Sequence, residues 1–517
     1  MVIIMKTKNK TKKIITALLI MLFTLLIAGG IATMTFSNNN NNRSDITFQS
    51  ENVAKHSHIT FESLKNHEKS DAKNLLCDNS RCWTPQSPNR KPAQGFEDVN
   101  NSVVEITFDN ASTFNTAVIE EVGNEVQYFR LQALIDDEWV TVYQSEKIQS
   151  YRICSFDSVT TNKVRLSIDK FRNDKKNAKI KSLKLYNEPR RKADNFETVV
   201  YQRLDSDVPS EVLAKGEEYA KNYAKFYDVY STVIVFGAIG WDENGNISFG
   251  NMGEEKFANE ISSLKELISL RSNKNHKVKL IITGLADGAG GGHEGVNSFM
   301  QKNWEKVADG IISLVGNYDF DGVDIDWEYP QNKNDWALYD KFIAVIDDGI
   351  NKSDDEKIIS SALSSSSLGL SKETFDRIDQ IQFMAYDGRD EDGYQSSLQQ
   401  AQDGISAFKK NGADVSKIII GIAAYGRPVN STPFWANWRD LQQANYWDSK
   451  YYNVNDSNQV YDGTFCSPAL AGDKTAYALF SGCGGVMVFR IGCDKTMDNS
   501  NSVSNGIKNA VERYIES

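Results

Sequence analysis

Three acidic side chains stand at alternate positions of one apolar stretch, Phe320 to Pro330. They are Asp324, Asp326 and Glu328. Alternate residues of a β-strand point to the same face, so a strand here places the three carboxyl groups side by side. Carboxyl groups whose pKa values are pushed apart can divide the work of proton donor and charged partner. The stretch therefore predicts an acid–base site.

The surroundings of this strand decide what its carboxyl groups can do. The opposite face carries the apolar side chains Val323, Ile325 and Trp327. If that face packs under helices, the acidic face points into a dry interior, where like charges raise one another's pKa. We expect a proton shared between Asp324 and Asp326, and a Glu328 protonated often enough to act as an acid. The alternative is a half-wet sheet whose acids face water.

The elements around the stretch form a repeat. From about residue 195, short apolar runs alternate with helix-like segments such as Glu254 to Leu270, which has the spacing of an amphipathic helix. Alternating strands and helices imply a parallel sheet, and eight repeats predict an α/β fold, a closed (β/α)8 TIM barrel over residues 195–517. Catalytic groups are expected at the C-terminal strand ends. The predicted strands are Thr198–Gln202, Thr232–Ile239, Val278–Thr283, Gly322–Glu328, Lys357–Ala362, Gln380–Tyr386, Lys417–Tyr425 and Gly485–Ile491.

The acidic stretch also resembles a family signature. Asp321-Gly322-x-Asp324-x-Asp326-x-Glu328 is similar to the signature of glycoside hydrolase family 18, and Trp327-Glu328-Tyr329-Pro330 resembles its chitinase branch. Three later segments resemble the family's sixth, seventh and eighth strands. They are Gln382-Phe383-Met384-Ala385-Tyr386-Asp387, Gly421 with Tyr425-Gly426-Arg427, and Gly484-Gly485-Val486-Met487-Val488-Phe489.

The resemblance implies a retaining mechanism assisted by the substrate. Glu328 would protonate the glycosidic oxygen while the substrate's own acetamido oxygen attacks the anomeric carbon. Asp326 would stabilise the acetamido group, Asp324 would hold the proton that lets Asp326 turn, and Tyr386 would hydrogen-bond the same group. The family implies substrate-binding roles for seven further residues, Asp387, Met384, Tyr329, Tyr425, Arg427, Met487 and Phe489.

The implied enzyme is an endo-acting chitinase whose partner is chitin or another glycan containing N-acetylglucosamine. Such a reaction needs neither a metal nor a cofactor, and none of the five histidines lies in a zinc-like cluster. Gly290 to Gly295 fits the spacing of a dinucleotide-binding loop but does not follow its strand directly. We interpret this glycine-rich run as a loop at the catalytic face.

The sequence departs from the family at three places. Phe489 stands where the family usually has a tryptophan, and a smaller ring offers less stacking area. Ile282-Thr283-Gly284-Leu285 replaces the family's Ser-x-Gly-Gly. The gap from Arg427 to Gly484 predicts no extra α+β insert, which favours an open groove and endo cutting. Four aromatic residues in this gap are candidates either for stacking on sugar rings or for loop packing, namely Trp435, Trp438, Tyr446 and Trp447.

Three other functions are compatible with the sequence. Phe489 allows a glycan-binding lectin with an inactive barrel, although such lectins typically lack the catalytic glutamate and Glu328 is present. An endo-β-N-acetylglucosaminidase acting on N-glycans or wall glycan is the second, and Tyr329-Pro330 speaks against it. Adhesion through the segment that precedes the barrel is the third.

That preceding segment, residues 71–190, alternates with period two. Short alternating strands and polar turns such as Asp136-Asp137 predict an antiparallel β-sandwich. The run Phe114 to Tyr186 resembles a discoidin-type jelly-roll module. The similar pieces are Phe129-Arg130-Leu131, Trp139 before Val140, and Val164-Arg165-Leu166-Ser167-Ile168. Such modules often stand beside glycosidase domains, so the segment is either a spacer or a second glycan contact.

The start of the chain concerns localisation. Ile14 to Phe36 are 23 uncharged residues that follow five lysines, a length that can cross a ~30 Å hydrocarbon core. Residues 1–36 are therefore predicted to be a signal anchor or signal peptide, and residues 37–70 a polar linker. Both interpretations place the rest of the chain at the cell surface, attached to the membrane if uncleaved, or outside the cell.

Charge and cysteine content narrow the classes of partner and scaffold. A net charge of −11 argues against a nucleic-acid partner, because an acidic surface repels phosphate backbones. Six cysteines in 517 residues are too few for a disulfide scaffold. The sequence alone does not choose among their pairings.

Overall fold

The computed structural model of the protein describes residues 46–63, 71–77, 79–85, 102–172, 178–285, 295–352, 356–366, 368–428, 435–441, 450–456 and 459–516. Ile46–Ser517 form one compact unit. Within the described ranges, no helix has the length and apolar character needed to cross a membrane. The predicted signal segment, residues 1–36, lies outside them.

Six strands in the first part of the unit form an antiparallel sheet. They are β1 (Ser57–Glu62), β2 (Ser102–Glu121), β3 (Val126–Ile135), β4 (Glu138–Ser145), β5 (Tyr151–Phe171) and β6 (Ile180–Tyr186). Their order is β1-β2-β5-β3-β4, and β6 pairs with β2. Asp136 and Asp137 join β3 to β4 with φ angles of 49° and 63°, as in a type I′ hairpin turn. The predicted all-β character and this turn are confirmed.

Alternation along these strands buries one apolar set of side chains. Val104 and Ile106 on β2 face Leu166 and Val164 on β5, and all four are fully buried in one cluster. Burial of apolar area, at about 25 cal/mol per Å², is what holds such a sheet together. The pairing establishes the sheet, whereas its discoidin-type jelly-roll arrangement stays a prediction.

Residues 46–63 correct the prediction of a polar linker over residues 37–70. Ile59 of β1 pairs with Ile106 of β2, and the Phe48 ring stacks on Tyr186 at 4.2 Å between centroids. These two apolar side chains supply the buried area that the asparagine-rich run before them lacks. The sheet therefore includes residues that composition alone assigned to the linker.

Eight parallel strands form a closed barrel, and each is joined to its neighbours in chain order. All eight strands predicted from the sequence are present, with ends that differ by a few residues. The strands are β7 (Glu197–Arg203), β8 (Thr232–Phe236), β9 (Lys279–Leu285), β10 (Gly322–Ile325), β11 (Ile358–Leu363), β12 (Gln380–Phe383), β13 (Ile418–Ala423) and β14 (Gly485–Phe489).

Helices cover the outside of the barrel, and apolar side chains fill its centre. The helices are α1 (Pro209–Ala214), α2 (Glu217–Ala224), α3 (Glu254–Ser269), α4 (Val296–Asn317), α5 (Lys333–Ile350), α6 (Lys372–Arg377), α7 (Leu398–Lys410), α8 (Pro468–Phe480) and α9 (Val503–Tyr514). The buried interior cluster consists of Val199, Tyr201, Ile234, Ile281, Ile419 and Met487. The barrel is thus a packed core whose open end is left for chemistry.

The gap between the seventh and eighth barrel strands is predicted to be too short for an extra α+β insert. It contains a four-stranded antiparallel sheet built from Tyr425–Pro428, Ala436–Asn437, Lys450–Asp456 and Gln459–Thr464. The described part of the gap has no α-helix before α8. Its residues pair with one another because short strands closed by turns satisfy their own backbone groups.

The six cysteines are all unpaired. Cys154, Cys466, Cys483 and Cys493 are buried, and burial raises the pKa of the Cys483 thiol to about 12. Buried thiols of this kind pack as small apolar side chains.

Helix α8 lies between the barrel and the sheet. Twelve of its 13 residues are buried, as expected of a helix covered on all sides. Asp473 faces the sheet, where it accepts hydrogen bonds from the Arg152 guanidinium (2.5 Å) and the Tyr143 hydroxyl (2.6 Å). The next residue, Lys474, faces the barrel and donates to the Gly421 carbonyl at 3.1 Å. Adjacent buried charges on α8 therefore join the two parts of the fold.

The buried pair on α8 gives a stability prediction. Asp473→Asn keeps the side-chain shape but leaves Arg152 buried without its counter-charge, so we expect the free energy of unfolding in urea to fall by about 3–5 kcal/mol. The matched control is Asp157→Asn, since the Asp157 side chain paired with Arg513 is 97% exposed, and its expected cost is below about 1 kcal/mol. Equal losses in the two variants would contradict the assignment.

Candidate active site

The acidic strand is β10, the fourth strand of the barrel. Asp324 is fully buried inside the barrel, while Asp326 and Glu328 follow towards the open end and are partly buried. Trp327 points the other way and packs on Tyr339 of α5, with ring centroids 5.1 Å apart. The predicted alternation of acidic inner and apolar outer side chains is therefore present at the C-terminal end of this strand.

Asp324 is held by hydroxyl groups from three other strands. Its carboxylate accepts hydrogen bonds from Tyr201 on β7 (2.9 Å), Ser360 on β11 (2.8 Å) and Thr283 on β9 (3.4 Å). Burial raises the pKa of Asp324 to about 6, and these three donors oppose the rise. We expected both burial and repulsion from neighbouring carboxylates to raise this pKa, and burial is the cause that the structure shows.

Asp326 lies among tyrosines. Burial raises the pKa values of Tyr201, Tyr329 and Tyr386 above that of free tyrosine, and the charge of Asp326 raises each of them further. Its own backbone N–H donates to the Leu285 carbonyl at 2.8 Å, which extends the strand ladder by one residue. The tyrosine hydroxyls consequently stay protonated at neutral pH and are available as hydrogen-bond donors.

Glu328 is positioned through its neighbours. The Tyr329 hydroxyl hydrogen-bonds the Glu328 carboxylate. Asn297 of α4 accepts from the Trp327 indole N–H at 2.8 Å and donates to the Tyr329 carbonyl at 2.9 Å. Because Asn297 clamps the residues on both sides, the direction of the Glu328 side chain is set from outside the strand.

The sixth and seventh strands bring Tyr386 to the same end of the barrel. A β-carbon on Gly421 would lie 2.5 Å from the Phe383 carbonyl oxygen and 2.9 Å from the Tyr386 ring. Glycine is therefore needed at this position for the two strands to approach. Met384 packs beside Tyr386 against the interior cluster.

A polar corner follows the sixth strand. The Asp387 carboxylate accepts hydrogen bonds from the Tyr425 hydroxyl (2.9 Å) and from Nε and Nη2 of Arg427 (2.9 and 3.1 Å). The Asp387 backbone N–H donates to the Gln395 side chain at 3.2 Å. Such paired, charge-assisted bonds fix the side chains in one arrangement.

Aromatic rings form a surface beside this corner. Phe489 lies 5.2, 5.5 and 6.0 Å from the ring centroids of Phe236, Tyr201 and Tyr386. Trp435 stacks on Tyr425 with centroids 3.5 Å apart and planes 10° apart. Met487 is fully buried beneath them. Apolar ring faces next to fixed polar groups are typical of a site for a small polar ring with apolar faces.

The four aromatic residues predicted from the gap divide into two groups. Trp435 is partly buried at the site, whereas Trp438 is fully buried and its indole N–H donates to the Asn501 carbonyl at 2.6 Å. Trp438 therefore packs the loop. Tyr446 and Trp447 lie outside the described residues, as do residues 290–294 of the glycine-rich run.

Several residues of the site were missed by the sequence analysis. Tyr201 and Ser360 occupy inward positions of strands that the pattern predicted, so a check of alternation in those strands would have found them. Phe236, at the end of the second strand, is a similar case. Asn297 has no signal in the sequence, because its contact comes from the packing of a helix against the strand end.

The described ranges contain no group of three or more histidine, cysteine or acidic side chains arranged to hold a metal ion. The carboxylates at the strand end are instead surrounded by hydroxyl and aromatic groups. This arrangement suits proton transfer and the binding of a neutral, hydroxyl-rich ligand.

Comparisons with known proteins point to one family. The model of glycosyl hydrolases family 18 matches residues 214–494, more than half of the chain. Chitotriosidase-1 of Mus musculus is 26% identical over 231 residues, 38% of this chain and 47% of that protein. Probable chitinase 2 of Drosophila melanogaster is 28% identical over 180 residues, 30% of this chain and 36% of that protein. The chain thus spans less than half the length of these curated relatives.

A solved structure with a similar fold is a family 18 chitinase from the chitin utilization locus of Flavobacterium johnsoniae. It shares 18% sequence identity with this chain at a TM-score of 0.46. The alignment covers 61% of this chain and 94% of that one.

The buried carboxyl group gives a pH prediction. Folded Asp324 has a pKa of about 6, above the roughly 3.9 of an unfolded chain, so its stabilising effect is full below about pH 4 and is lost as pH rises through 6. Asn cannot titrate. The unfolding free energy of the parent relative to Asp324→Asn should therefore fall by about 2 kcal/mol between pH 4 and pH 7. Urea titrations at four pH values test this, and a difference independent of pH would contradict it.

Proposed function

Because the chain belongs to glycosyl hydrolase family 18, we propose that it is a chitinase-type enzyme that hydrolyses β-1,4 linkages between N-acetylglucosamine units. One observation carries the proposal. The carboxyl groups of Asp324, Asp326 and Glu328 run in a single inward row from the barrel interior to its open end. The row ends beside a polar corner and an aromatic surface.

The reaction we propose uses the substrate's own acetamido group as nucleophile. Glu328 protonates the glycosidic oxygen as the acetamido oxygen attacks the anomeric carbon and forms an oxazolinium-like intermediate. Asp326 accepts the acetamido N–H and stabilises its developing positive charge, and Tyr386 donates a hydrogen bond to the group. Glu328 then deprotonates a water molecule, which opens the ring and retains the anomeric configuration.

The surroundings of the carboxylates support these roles. Burial raises the pKa of Tyr386, so it is a hydrogen-bond donor at neutral pH. Asp324 lies behind Asp326 with a pKa raised by burial to about 6, which suits a group that gives and takes a proton near neutrality. Tyr329 holds the carboxylate of Glu328 at the rim.

Substrate binding is assigned to the groups around this row. Asp387 and Arg427 present fixed polar atoms to sugar hydroxyls, and Phe489 with Trp435 offers apolar faces for the pyranose rings. Tyr425 was predicted to bind substrate directly, but it is 1% exposed, so it supports Asp387 from behind through its hydroxyl. Met384 and Met487 pack beneath the aromatic surface and hold it in place.

The remaining assignments concern the rest of the chain. We infer an open groove with endo cutting, because the gap before the eighth strand adds only a small sheet in its described part. The six-stranded sheet is proposed to be a discoidin-type module that acts as a spacer or as a second glycan contact. Residues 1–36 would carry the protein to the cell surface or outside the cell, as their charge pattern predicts.

Two alternatives keep the same site. A glycan-binding lectin is favoured by Phe489, since a phenyl ring offers less stacking area than an indole. An endo-β-N-acetylglucosaminidase would use the same carboxylates to cleave a different substrate, either N-glycans or wall glycan. Product analysis separates these alternatives.

The first test is hydrolysis of chitin oligosaccharides by the soluble chain from residue 46 onwards. The parent should release short products whose first anomer is β. Glu328→Gln should lower the rate by about 10²- to 10⁴-fold, the usual contribution of a general acid, while binding of the oligosaccharide persists. Glu373→Gln, an exposed residue at the start of α6, is the matched control and should retain full activity.

Each other outcome of that test identifies an alternative. Binding without cleavage by the parent would indicate a lectin. Neither binding nor cleavage would indicate another substrate, and N-glycans would be tested next. First products in the α form would contradict retention.

A pair of tryptophans separates binding from packing. Trp435→Ala removes a ring from the aromatic surface, so the KM for chitin oligosaccharides should rise about tenfold, equivalent to about 1.4 kcal/mol, with little change in the unfolding midpoint. Trp438→Ala removes a buried ring and should instead lower the free energy of unfolding by about 3–5 kcal/mol. Steady-state kinetics and urea titrations on both variants provide the comparison. A reversed pattern would contradict the assignment.

A further inference from the structure

The loop after the sixth barrel strand carries Asp387 of the polar corner. Side chains next to the six-stranded sheet form ion pairs with this loop. After Asp387 the chain continues through three acidic residues, Asp390, Glu391 and Asp392. Arg172, at the end of β5, forms ion pairs with two of these acids. It lies 2.5 Å from Glu391 and 2.6 Å from Asp392. A part of the fold outside the barrel thus holds a loop of the site.

Lys147, which follows β4, is the central contact. Its ammonium group lies 2.9 Å from Asp390 and 2.7 Å from Asp392, and its side chain is 6% exposed. It also sits 3.9 Å above the Tyr394 ring. Burial acts to raise the pKa of Asp392, but Lys147 and Arg172 hold it below its usual value. Removal of Lys147 would leave two adjacent carboxylates with one fewer cation in a largely buried place.

The acids that Lys147 holds also shape the loop. Asp390 Oδ1 accepts hydrogen bonds from the backbone N–H groups of Asp392 and Tyr394, both at 3.0 Å. The Asp390 N–H donates to the Tyr394 carbonyl at 2.9 Å. The position of the Asp390 carboxylate therefore determines how this tight turn closes.

The turn leads directly to Gln395, which touches the site. The Gln395 side-chain oxygen Oε1 accepts from the Asp387 backbone N–H at 3.2 Å, and its side-chain amide Nε2 donates to the Tyr425 backbone carbonyl at 2.7 Å. Its backbone N–H donates to the Thr464 hydroxyl at 3.1 Å. Gln395 consequently connects the turn to Asp387 and Tyr425 of the polar corner.

Neighbours of Lys147 reinforce this contact. Ser150 donates to the Gln399 side chain at 2.8 Å, and the Gln399 N–H donates to the Gln149 side chain at 3.1 Å, at the start of α7. The Gln402 amide donates to the Tyr151 carbonyl at 2.8 Å. Residues 147–151 therefore form one continuous contact surface for the loop after the sixth strand and for helix α7.

We propose that Lys147 is a positioning residue for the active site, which acts through Asp390, Asp392 and Gln395 to hold Asp387, and the Tyr425 hydroxyl behind it, in the arrangement that binds substrate. The sheet then positions a loop of the proposed active site, in addition to any role as a spacer or a second glycan contact. This inference rests on the proposed function for its kinetic consequence, although the structural coupling can be measured without it.

The test compares full-length proteins that carry single substitutions. Lys147→Met removes the charge and keeps the apolar stem, and Lys147→Arg restores the charge. Lys181→Met is the matched control, since Lys181 pairs with Glu120 inside the sheet. Hydrogen–deuterium exchange of peptides over residues 385–396 should be at least tenfold faster in Lys147→Met, near the parent rate in Lys147→Arg and unchanged in Lys181→Met. Peptides over residues 320–330 should not change in any variant.

The kinetic arm uses chitin oligosaccharides. Lys147→Met should lower kcat/KM about tenfold, chiefly through KM, and Lys147→Arg should return it to within threefold of the parent. In an Asp387→Asn background the Lys147→Met effect should shrink to less than twofold, because the residue through which it acts is already altered. A purely structural lysine would give the same loss in both backgrounds, which would overturn the proposal.

The two proposals fail in different ways. If the parent cleaves no oligosaccharide, the proposed function fails, and the exchange measurement still decides the positioning role. Unchanged exchange over residues 385–396 in Lys147→Met overturns that role whatever the activity. If Lys147→Met does not fold, Asp392→Asn weakens the same contact from the barrel side, and its exchange over those residues is read by the same criterion.

Discussion

A carboxyl group buried in the centre of a barrel must find hydrogen-bond donors, because water cannot reach it. Asp324 finds them in Tyr201, Thr283 and Ser360, which belong to three other strands. This requirement links four of the eight strands at one level of the barrel. The register of this strand also determines the direction of Asp326 and Glu328, which follow Asp324 at alternate positions. A slip of one residue would turn every side chain to the opposite face.

A second constraint comes from helix α8. Covered by the barrel on one side and the sheet on the other, it holds two adjacent charges that face in opposite directions. Asp473 is neutralised from the sheet by Arg152. Burial lowers the pKa of Lys474 to about 8, and its ammonium group is held by carbonyls next to the sixth and seventh strands. With Lys147 and Arg172, these contacts make the sheet and barrel one structure around the site.

The sequence pattern was sufficient to predict those features that depend only on residues close together in the chain. The eight barrel strands, the inward row of acids and the turn at Asp136-Asp137 follow from alternation and turn chemistry. The linker prediction failed over residues 46–63 because composition averages hid Phe48 and Ile59, two side chains that find partners far along the chain. The small sheet before the eighth strand was not predicted, since short strands give weak periodic signals.

The sequence by itself determined which residues can do chemistry, because residue type and a spacing of two set both the reactive groups and the face they share. The tertiary structure alone decided their environment. Burial, and not repulsion between neighbouring acids, sets the pKa of Asp324. Contacts between distant residues place Trp435 against Tyr425 and Trp438 in the core. They also join Asn297 to both neighbours of Glu328, and Gln395 and Lys147 to the loop that carries Asp387. Such contacts join residues far apart in the chain, and no local pattern records them.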